Sequence, residues 1–186
     1  MPSGQEVEIK FQVSDLAALS AKLSALGFRL VTERTHEMNT LYDLKGTPLR
    51  RRGALLRLRQ YGHKWTITYK DKGKVSSTRH KSRREIETQV DHGLALAEIL
   101  TSVGFKSSFT YEKFRSEWSD GTGHVVVDET PVGNFAEIEG PADWIDTVAH
   151  KLAVSARQYI TLSYAELFQQ WKKKTKSKAT QMLFSR

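Results

Sequence analysis

The stretch "EVEIKF" (Glu6–Phe11) decides how the rest of the chain is read. Glu6, Glu8 and Lys10 alternate with Val7, Ile9 and Phe11. Successive side chains of a strand point to opposite faces, so one face of this strand is wholly charged and the other wholly apolar. Such a face is ordinarily wet. Whether this one looks at bulk water or into a site depends on whether the other strands repeat the pattern.

They do. "LRLR" sets Arg57 and Arg59 opposite Leu56 and Leu58, and "KWTITYK" groups Thr66, Thr68 and Lys70 opposite Trp65, Ile67 and Tyr69. Arg83, Glu85 and Glu87 share a face in "RREIE", as do Tyr111, Lys113, Arg115 and Glu117 in "YEKFRSEW". Asp128 ends "HVVVD", and Glu137 and Glu139 alternate with Ala136 and Ile138 in "FAEIEG". Any one of these fits a solvent face laced with cross-strand ion pairs. A solvent face, however, normally mixes Ser, Thr, Gln and Asn with its charges. The large apolar residues at the alternate positions need a cover, which helices can supply from outside, leaving the charged faces turned inward around a polar lumen. That lumen is tolerable only if its charges are paired or hold ions.

The remaining segments complete an α+β chain. Ser14 is the expected N-cap of a helix over Asp15–Leu26, with a stripe of Leu16, Leu19, Leu23 and Leu26 ended by Gly27. Strands are expected over 28–35, 40–43, 54–61, 64–70, 83–90, 109–118, 124–129 and 135–139. The turns "YGHK", "KDKGK", "SDGTG" and "TPVGN" punctuate them. Further helices are expected over 92–103, 143–153 and 163–172. Many antiparallel strands with short turns and few helices predict a barrel or sandwich covered by helices.

Composition narrows the chemistry. At 186 residues the chain fits one domain, and it has no cysteine, which excludes disulfides, thiolate metal sites and cysteine nucleophiles. No apolar stretch nears membrane-span length and no basic-then-apolar leader is present, so a cytoplasmic protein with no membrane partner is expected. The net charge of +8 points to an anionic partner. Residues 1–172 are expected to form the domain and 173–186 a basic tail; "WKKKTKSK" (Trp171–Lys178) is expected to be a solvated, frayed end. None of the six histidines shows metal-ligand spacing, and each reads as a surface or turn residue. Cations and carboxylates in one concave space suit a polyphosphate with its divalent metals: Arg and Lys neutralise phosphate oxygens, and carboxylates hold Mg²⁺ or Mn²⁺.

These motifs, in this order, resemble the CYTH or triphosphate tunnel metalloenzyme superfamily, which includes class IV adenylyl cyclases, thiamine triphosphatases and inorganic tripolyphosphatases. The matching elements are Glu6-x-Glu8-x-Lys10, "LRLR", the Thr-x-Lys strand ending at Lys70, "RREIE", the Lys113-x-Arg115 pair, Asp128 and the closing "EIE". The match runs from Glu6 to Glu139 and takes in the terminal "SYAELF". The resemblance implies an eight-stranded antiparallel β-barrel forming a tunnel, with helices packed outside and triphosphate and metal inside. It implies triphosphate binding by Lys10, Arg57, Arg59, Lys70, Arg83, Lys113 and Arg115, and metal binding by Glu6, Glu8, Asp128, Glu137 and Glu139. Lys10, Arg59 and Glu8 would stand closest to the chemistry. Glu85 and Glu87 would either join the metal side or orient neighbouring cations, and Arg84 would replace Arg83 if a bulge shifted the register. Many relatives carry an acid where Asn39 stands in "HEMNTLYDL".

The leading function is metal-dependent hydrolysis of a triphosphate-bearing small molecule. The runner-up is a class IV adenylyl cyclase making cyclic AMP and pyrophosphate from ATP. No segment reads as a nucleoside pocket, although "TPVGNFAEIEG" is similar to members named as cyclases. A third alternative is a non-catalytic binder of polyphosphate or RNA using "TRHKSRR" (Thr78–Arg84) and the lysine tail. Nucleic acid is disfavoured, because seven carboxylates on the site face would repel a phosphate backbone.

Overall fold

A computed structural model describes residues 5–71 and 81–185, with the side chains of residues 5, 6 and 81–83 left out. Residues 72–74 of "KDKGK" and 78–80 of "TRHKSRR" therefore lie outside the described residues.

Eight strands run in chain order as β1 (Gln5–Val13), β2 (Arg29–Asp43), β3 (Leu55–Tyr61), β4 (Lys64–Lys70), β5 (Lys81–Val90), β6 (Lys106–Ser119), β7 (His124–Thr130) and β8 (Gly133–Glu139). All pair antiparallel, in the order β1-β5-β4-β3-β2-β6-β7-β8, and β1 also pairs with β8, so the sheet closes into a barrel. Closure removes the exposed edges that an open sheet would leave. The two segments expected over 28–35 and 40–43 are one strand of fifteen residues, β2. Register shifts against β6 between Leu30 and Thr32, and again between Thr32 and Thr35, absorb the break in alternation that had suggested two strands.

The helices are α1 (Leu16–Ala25), α2 (Pro48–Arg51), α3 (Gly93–Ser102), α4 (Ala142–Lys151) and α5 (Tyr164–Thr175). Asp15, not Ser14, caps α1: its side chain accepts from the Ala18 N–H at 2.9 Å. Leu19 and Leu23 of α1, with Ile145, Val148 and Ala149 of α4, bury against Ile9, Phe11, Val125, Val127, Ala136 and Ile138. These are the outward positions of β1, β7 and β8. The apolar face of "EVEIKF" is thus the one covered by helices, and its charged face turns into the barrel. Gly93 opens α3 directly against Trp65 of β4; a Cβ there would lie 2.0 Å from the indole, so only glycine permits the contact.

The fifth helix departs from the expected outside cover. Phe109 and Tyr111 share the inward face of β6 with Lys113 and Arg115, and Phe135 shares that of β8 with Glu137. One end of the lumen is therefore aromatic, and Tyr164, Phe168 and Met182 pack into it. Phe168 meets Phe109 at 5.4 Å and stacks on Trp171 at 5.9 Å between ring centroids. Ser163 caps α5 through a capping box with Glu166, its hydroxyl and N–H both donating to that carboxylate at 2.7 Å.

Of the stretch 171–178, expected to be a solvated, frayed end, residues up to Thr175 belong to α5, and the chain docks again beyond it. β7 reaches β6 only from Phe114 onward, leaving the preceding part of that β6 edge open. The last residues run along it: the Met182 N–H donates to the Thr110 carbonyl at 3.0 Å and the Glu112 N–H to the Met182 carbonyl at 3.0 Å. The Phe184 N–H donates to the Glu112 carboxylate at 2.6 Å. Met182 is fully buried, whereas Leu183 is 43% exposed. Met182→Ala is accordingly expected to lower unfolding free energy by about 2–4 kcal/mol through the cavity it leaves. Leu183→Ala should cost under ~1 kcal/mol. Urea titration of both variants measures the contrast, and equal effects would mean that the terminal segment is not docked.

Candidate active site

The inward side chains of the barrel surround a cavity of about 490 Å³. Its walls are built by register. β1 sets Glu8 opposite Glu139 and Lys10 opposite Glu137 of β8. Paired residues share a face, so this corner gathers three carboxylates, and one oxygen from each of Glu8, Glu137 and Glu139 lies within 4.8 Å of the others. Lys10 Nζ sits 2.9 Å from Glu137 Oε1, and Arg115 Nη2 sits 2.7 Å from Glu137 Oε2. Burial pushes the Glu137 carboxyl up, but Lys10 and Arg115 outweigh it and hold the group well below the usual carboxylate range. For Lys10, burial disfavours the ammonium, yet Glu137 and Glu8 more than offset that and raise its pKa.

The next wall is the β6–β7 pair. Asp128, fully buried, takes Arg115 Nε at 2.7 Å on Oδ1. Its Oδ2 takes Arg115 Nη2 at 2.7 Å, Lys113 Nζ at 2.9 Å and the Tyr164 hydroxyl at 2.5 Å. Asp128, expected among the metal ligands, anchors two cations and shares Arg115 with Glu137 of the trio. Glu129, one residue on, faces the other way and pairs with Arg34.

Across the barrel, β3 and β4 carry the remaining cations. Three strands separate β3 from β8 in either direction around the ring, so Arg57 and Arg59 look across the lumen toward Glu137 and Glu139. Arg59 Nη2 lies 3.1 Å from Glu87, and Arg57 Nη2 lies 3.6 Å from Glu87 and 4.0 Å from Glu85. Lys70 Nζ lies 2.8 Å from Glu85. Glu85 and Glu87 therefore sit with the cations of this wall rather than with the trio. Thr68 donates to Glu87 at 2.6 Å, and Thr66 accepts from Arg59 Nε at 3.2 Å, which orients the guanidinium. Backbone pairing joins Glu6 to Arg83 and Gln5 to Arg84, without a bulge between them. Arg84 is exposed, so the register shift that would have turned it inward does not occur.

Several residues of the site were not singled out in the sequence. Glu37 of β2 is fully buried, 3.4 Å from Lys113 Nζ and 3.8 Å from Arg115 Nε, and Asn39 donates to it at 2.8 Å. Its parity with Asn39 was the available signal, masked because "HEMNTL" mixes polar residues on both faces. Tyr164 and Ser163 reach the cavity from α5, and His124 stands at its rim opposite Glu139. The histidine is exposed, as expected of all six, yet it lines the site. Burial lifts the Tyr164 phenol well above its ordinary pKa, with Asp128 and Glu137 adding to the effect, so its hydroxyl remains a donor.

A closed antiparallel barrel with cations and carboxylates lining its lumen defines a charged tunnel fold. The CYTH domain family model matches residues 4–177. The chain belongs to the CYTH family. It is 27% identical over 176 residues to adenylate cyclase CyaB of Aeromonas hydrophila, covering 89% of each chain. A Vibrio parahaemolyticus protein provisionally named adenylate cyclase superposes with a TM-score of 0.78 at 20% identity, over 90% of this chain and 99% of that one. A Hippeastrum protein provisionally named adenylyl cyclase, and described as having a dominant triphosphatase activity, gives 0.69 at 17% identity over 89% and 95%.

Glu37 makes the electrostatics testable. Burial pushes its carboxyl up, but Lys113 and Arg115 dominate and hold its pKa at about 2 against an ordinary 4.5. A depressed folded-state pKa stabilises the protein above the unfolded value and loses that effect as pH falls through the folded value. The contribution is roughly 3 kcal/mol, present above pH ~4.5 and gone near pH ~2. Glu37→Gln is therefore expected to lower stability at pH 7 and to converge on the parent as pH drops below 4.5. Parallel denaturation curves at every pH would show that the carboxylate carries no such charge coupling.

Proposed function

We propose that the protein hydrolyses a triphosphate-bearing small molecule in a reaction that depends on Mg²⁺ or Mn²⁺. The observation that carries this is the charge of the lumen. Lys10, Arg57, Arg59, Lys70, Lys113 and Arg115 share it with Glu8, Glu37, Glu85, Glu87, Glu117, Asp128, Glu137 and Glu139. Carboxylates outnumber cations by two among these described residues, and Glu6 and Arg83 would cancel. An enclosed space with a negative balance does not take up a triphosphate on its own cations. It needs divalent charge as well.

Glu8, Glu137 and Glu139 fit that need. Three convergent carboxylates are the hard oxygen set preferred by Mg²⁺ and Mn²⁺, and the chain has no thiolate to select a softer metal. Glu6, on the same strand, would complete the corner, whereas Asp128 would support Lys113 and Arg115 instead. A divalent metal held by these carboxylates would supply positive charge against the phosphate oxygens. The chain's own part is positioning. Arg57, Arg59 and Lys70 would grip the phosphate chain from one wall, and Lys10, Lys113 and Arg115 from the other, with Arg83 at the β5 edge. The forks of Arg57 and Arg59 suit bidentate contact with phosphate. Lys10, Arg59 and Glu8 would stand nearest the reacting phosphate, where fixed dipoles and charges act without reorganising. The dominant triphosphatase activity described for the Hippeastrum neighbour agrees with hydrolysis. The second reading, cyclisation of ATP, is favoured by the name of the Aeromonas relative.

Incubation with tripolyphosphate, thiamine triphosphate or ATP in turn should release orthophosphate, with tripolyphosphate at least as good a substrate as ATP, and chelation should abolish turnover. Cyclic AMP with pyrophosphate would instead establish the cyclase. Metal-dependent binding without product would leave a binder. Within the hydrolase, Glu8→Gln and Glu139→Gln should each lower kcat/KM by about 10²–10³-fold, and Lys10→Ala and Arg59→Ala similarly. Glu129→Gln, which only loosens the exposed pair with Arg34, should change it less than about threefold. Equal losses at Glu8, Glu139 and Glu129 would reverse the assignment of faces.

A further inference from the structure

We propose that Tyr164, at the start of α5, is a positioning residue for the deep phosphate contacts, holding Lys10 and Lys113 where a bound phosphate chain meets them. This rests on the triphosphate reading of the same cavity. It concerns a residue outside the barrel strands, from a helix that reads in sequence as an outer cover.

Tyr164 acts through both of its ends. Its hydroxyl donates to Asp128 Oδ2 at 2.5 Å, the oxygen that also takes Lys113 Nζ and Arg115 Nη2. A carboxylate oxygen shared by two cations alone is free to swing toward either one. The neutral third donor fixes its lone pairs and hence the direction in which Lys113 is held. The ring acts on the ammonium groups themselves: Lys10 Nζ lies 4.3 Å from its centroid and Lys113 Nζ 4.8 Å. A π face within about 6 Å attracts a cation without adding a negative charge, so the ring narrows the direction of both lysines beyond what their ion pairs with Glu137 and Asp128 fix.

The ring is itself fixed. It stacks on Tyr111 at 6.0 Å and meets Phe135 edge-on at 5.8 Å. Behind it, Phe168 and Met182 fill the aromatic end of the barrel. Tyr164 is buried, yet it borders the cavity beside Ser163. The lumen is therefore bounded at this end by α5, and docking of the C-terminal helix is coupled to the placement of two cations from β1 and β6. Lys10 Nζ also donates to the Leu162 carbonyl at 3.3 Å, two residues before Tyr164, so the segment leading into α5 grips the same ammonium.

The test compares Tyr164→Phe, Tyr164→Leu and Phe168→Leu in the full chain, reading tripolyphosphate Kd by calorimetry with Mg²⁺, KM, kcat and Tm. Tyr164→Phe removes only the hydroxyl and is expected to raise Kd and KM about tenfold with little change in Tm. Tyr164→Leu also removes the π face and should raise them about a hundredfold. Phe168→Leu loosens the same packing without touching either lysine; it should lower Tm and leave Kd and KM within about twofold. A Tyr164→Phe protein with parental Kd, KM and kcat would overturn the proposal, as would a loss in Tyr164→Leu no greater than in a Phe168→Leu protein of equal Tm. Should Tyr164→Leu fail to fold, Tyr164→Phe decides alone. A parental protein that binds no tripolyphosphate would overturn the triphosphate reading, and this proposal with it.

Discussion

Charge enclosed in a closed barrel must be compensated within the barrel, and the rest of the structure follows from that constraint. Glu37, Lys113, Asp128, Arg115, Glu137 and Lys10 form a chain in which each ion meets the next within 4 Å. Every member is at least largely buried. Desolvating such groups costs several kcal/mol apiece, repaid only by good geometry, and removing one member strands its partner at a cost of roughly 3–5 kcal/mol. The network is therefore a poor source of net stability but a strong determinant of geometry. Each side chain is held by two or more partners, so the lumen's charges keep their places before any substrate arrives. Preorganisation of this kind is what electrostatic catalysis requires.

Stability has to come from elsewhere, and the apolar residues are distributed accordingly. The outward faces of β1, β7 and β8 bury against α1 and α4, forming one core outside the barrel. A second core fills the aromatic end of the lumen, built from β6, β8, α5 and the terminal segment. The charged stretch of the lumen lies between these two packed regions. Tyr164 belongs to both worlds: its ring is part of the second core, and its hydroxyl is part of the ion network. The docking of α5 is thus continuous with the geometry of the site.

Much of this arrangement was legible in alternation. The parity of "EVEIKF", "LRLR" and "FAEIEG" assigns Glu8, Lys10, Arg57, Arg59, Glu137 and Glu139 to one enclosed face, and the structure brings them together around one cavity. Parity cannot separate functions within that face. It gives Asp128 and Glu139 the same standing, although Asp128 is surrounded by Lys113, Arg115 and Tyr164 while Glu139 joins a carboxylate trio. Nor can it show Glu37, whose strand has polar residues on both sides. The helix-like repeat of "SYAELF" identifies α5, but not that it enters the end of the barrel, because an aromatic face fits an outer sheet surface equally well. The tail misled for a physical reason. Its lysines are exposed, whereas the two residues that dock, Met182 and Phe184, flank the exposed Leu183 in an apolar run too short to show a period.

The distribution of charge carries one more step. The chain bears +8 in all, while the cavity is lined by six carboxylates and six cations, with Glu37 and Asp128 buried behind them. The positive surplus that suggested an anionic partner is therefore carried outside the lumen, by residues such as Arg50, Arg51, Lys173 and Lys174 that are exposed. Charge in that position cannot hold a triphosphate in place, because water and salt screen it over about 8–10 Å. It can raise the concentration of anions near the barrel and speed their arrival. Attraction and grip are then separate properties of different residues. The outer cations act on any anion, whereas under the proposed function the paired charges of the lumen act on one that comes with divalent metal.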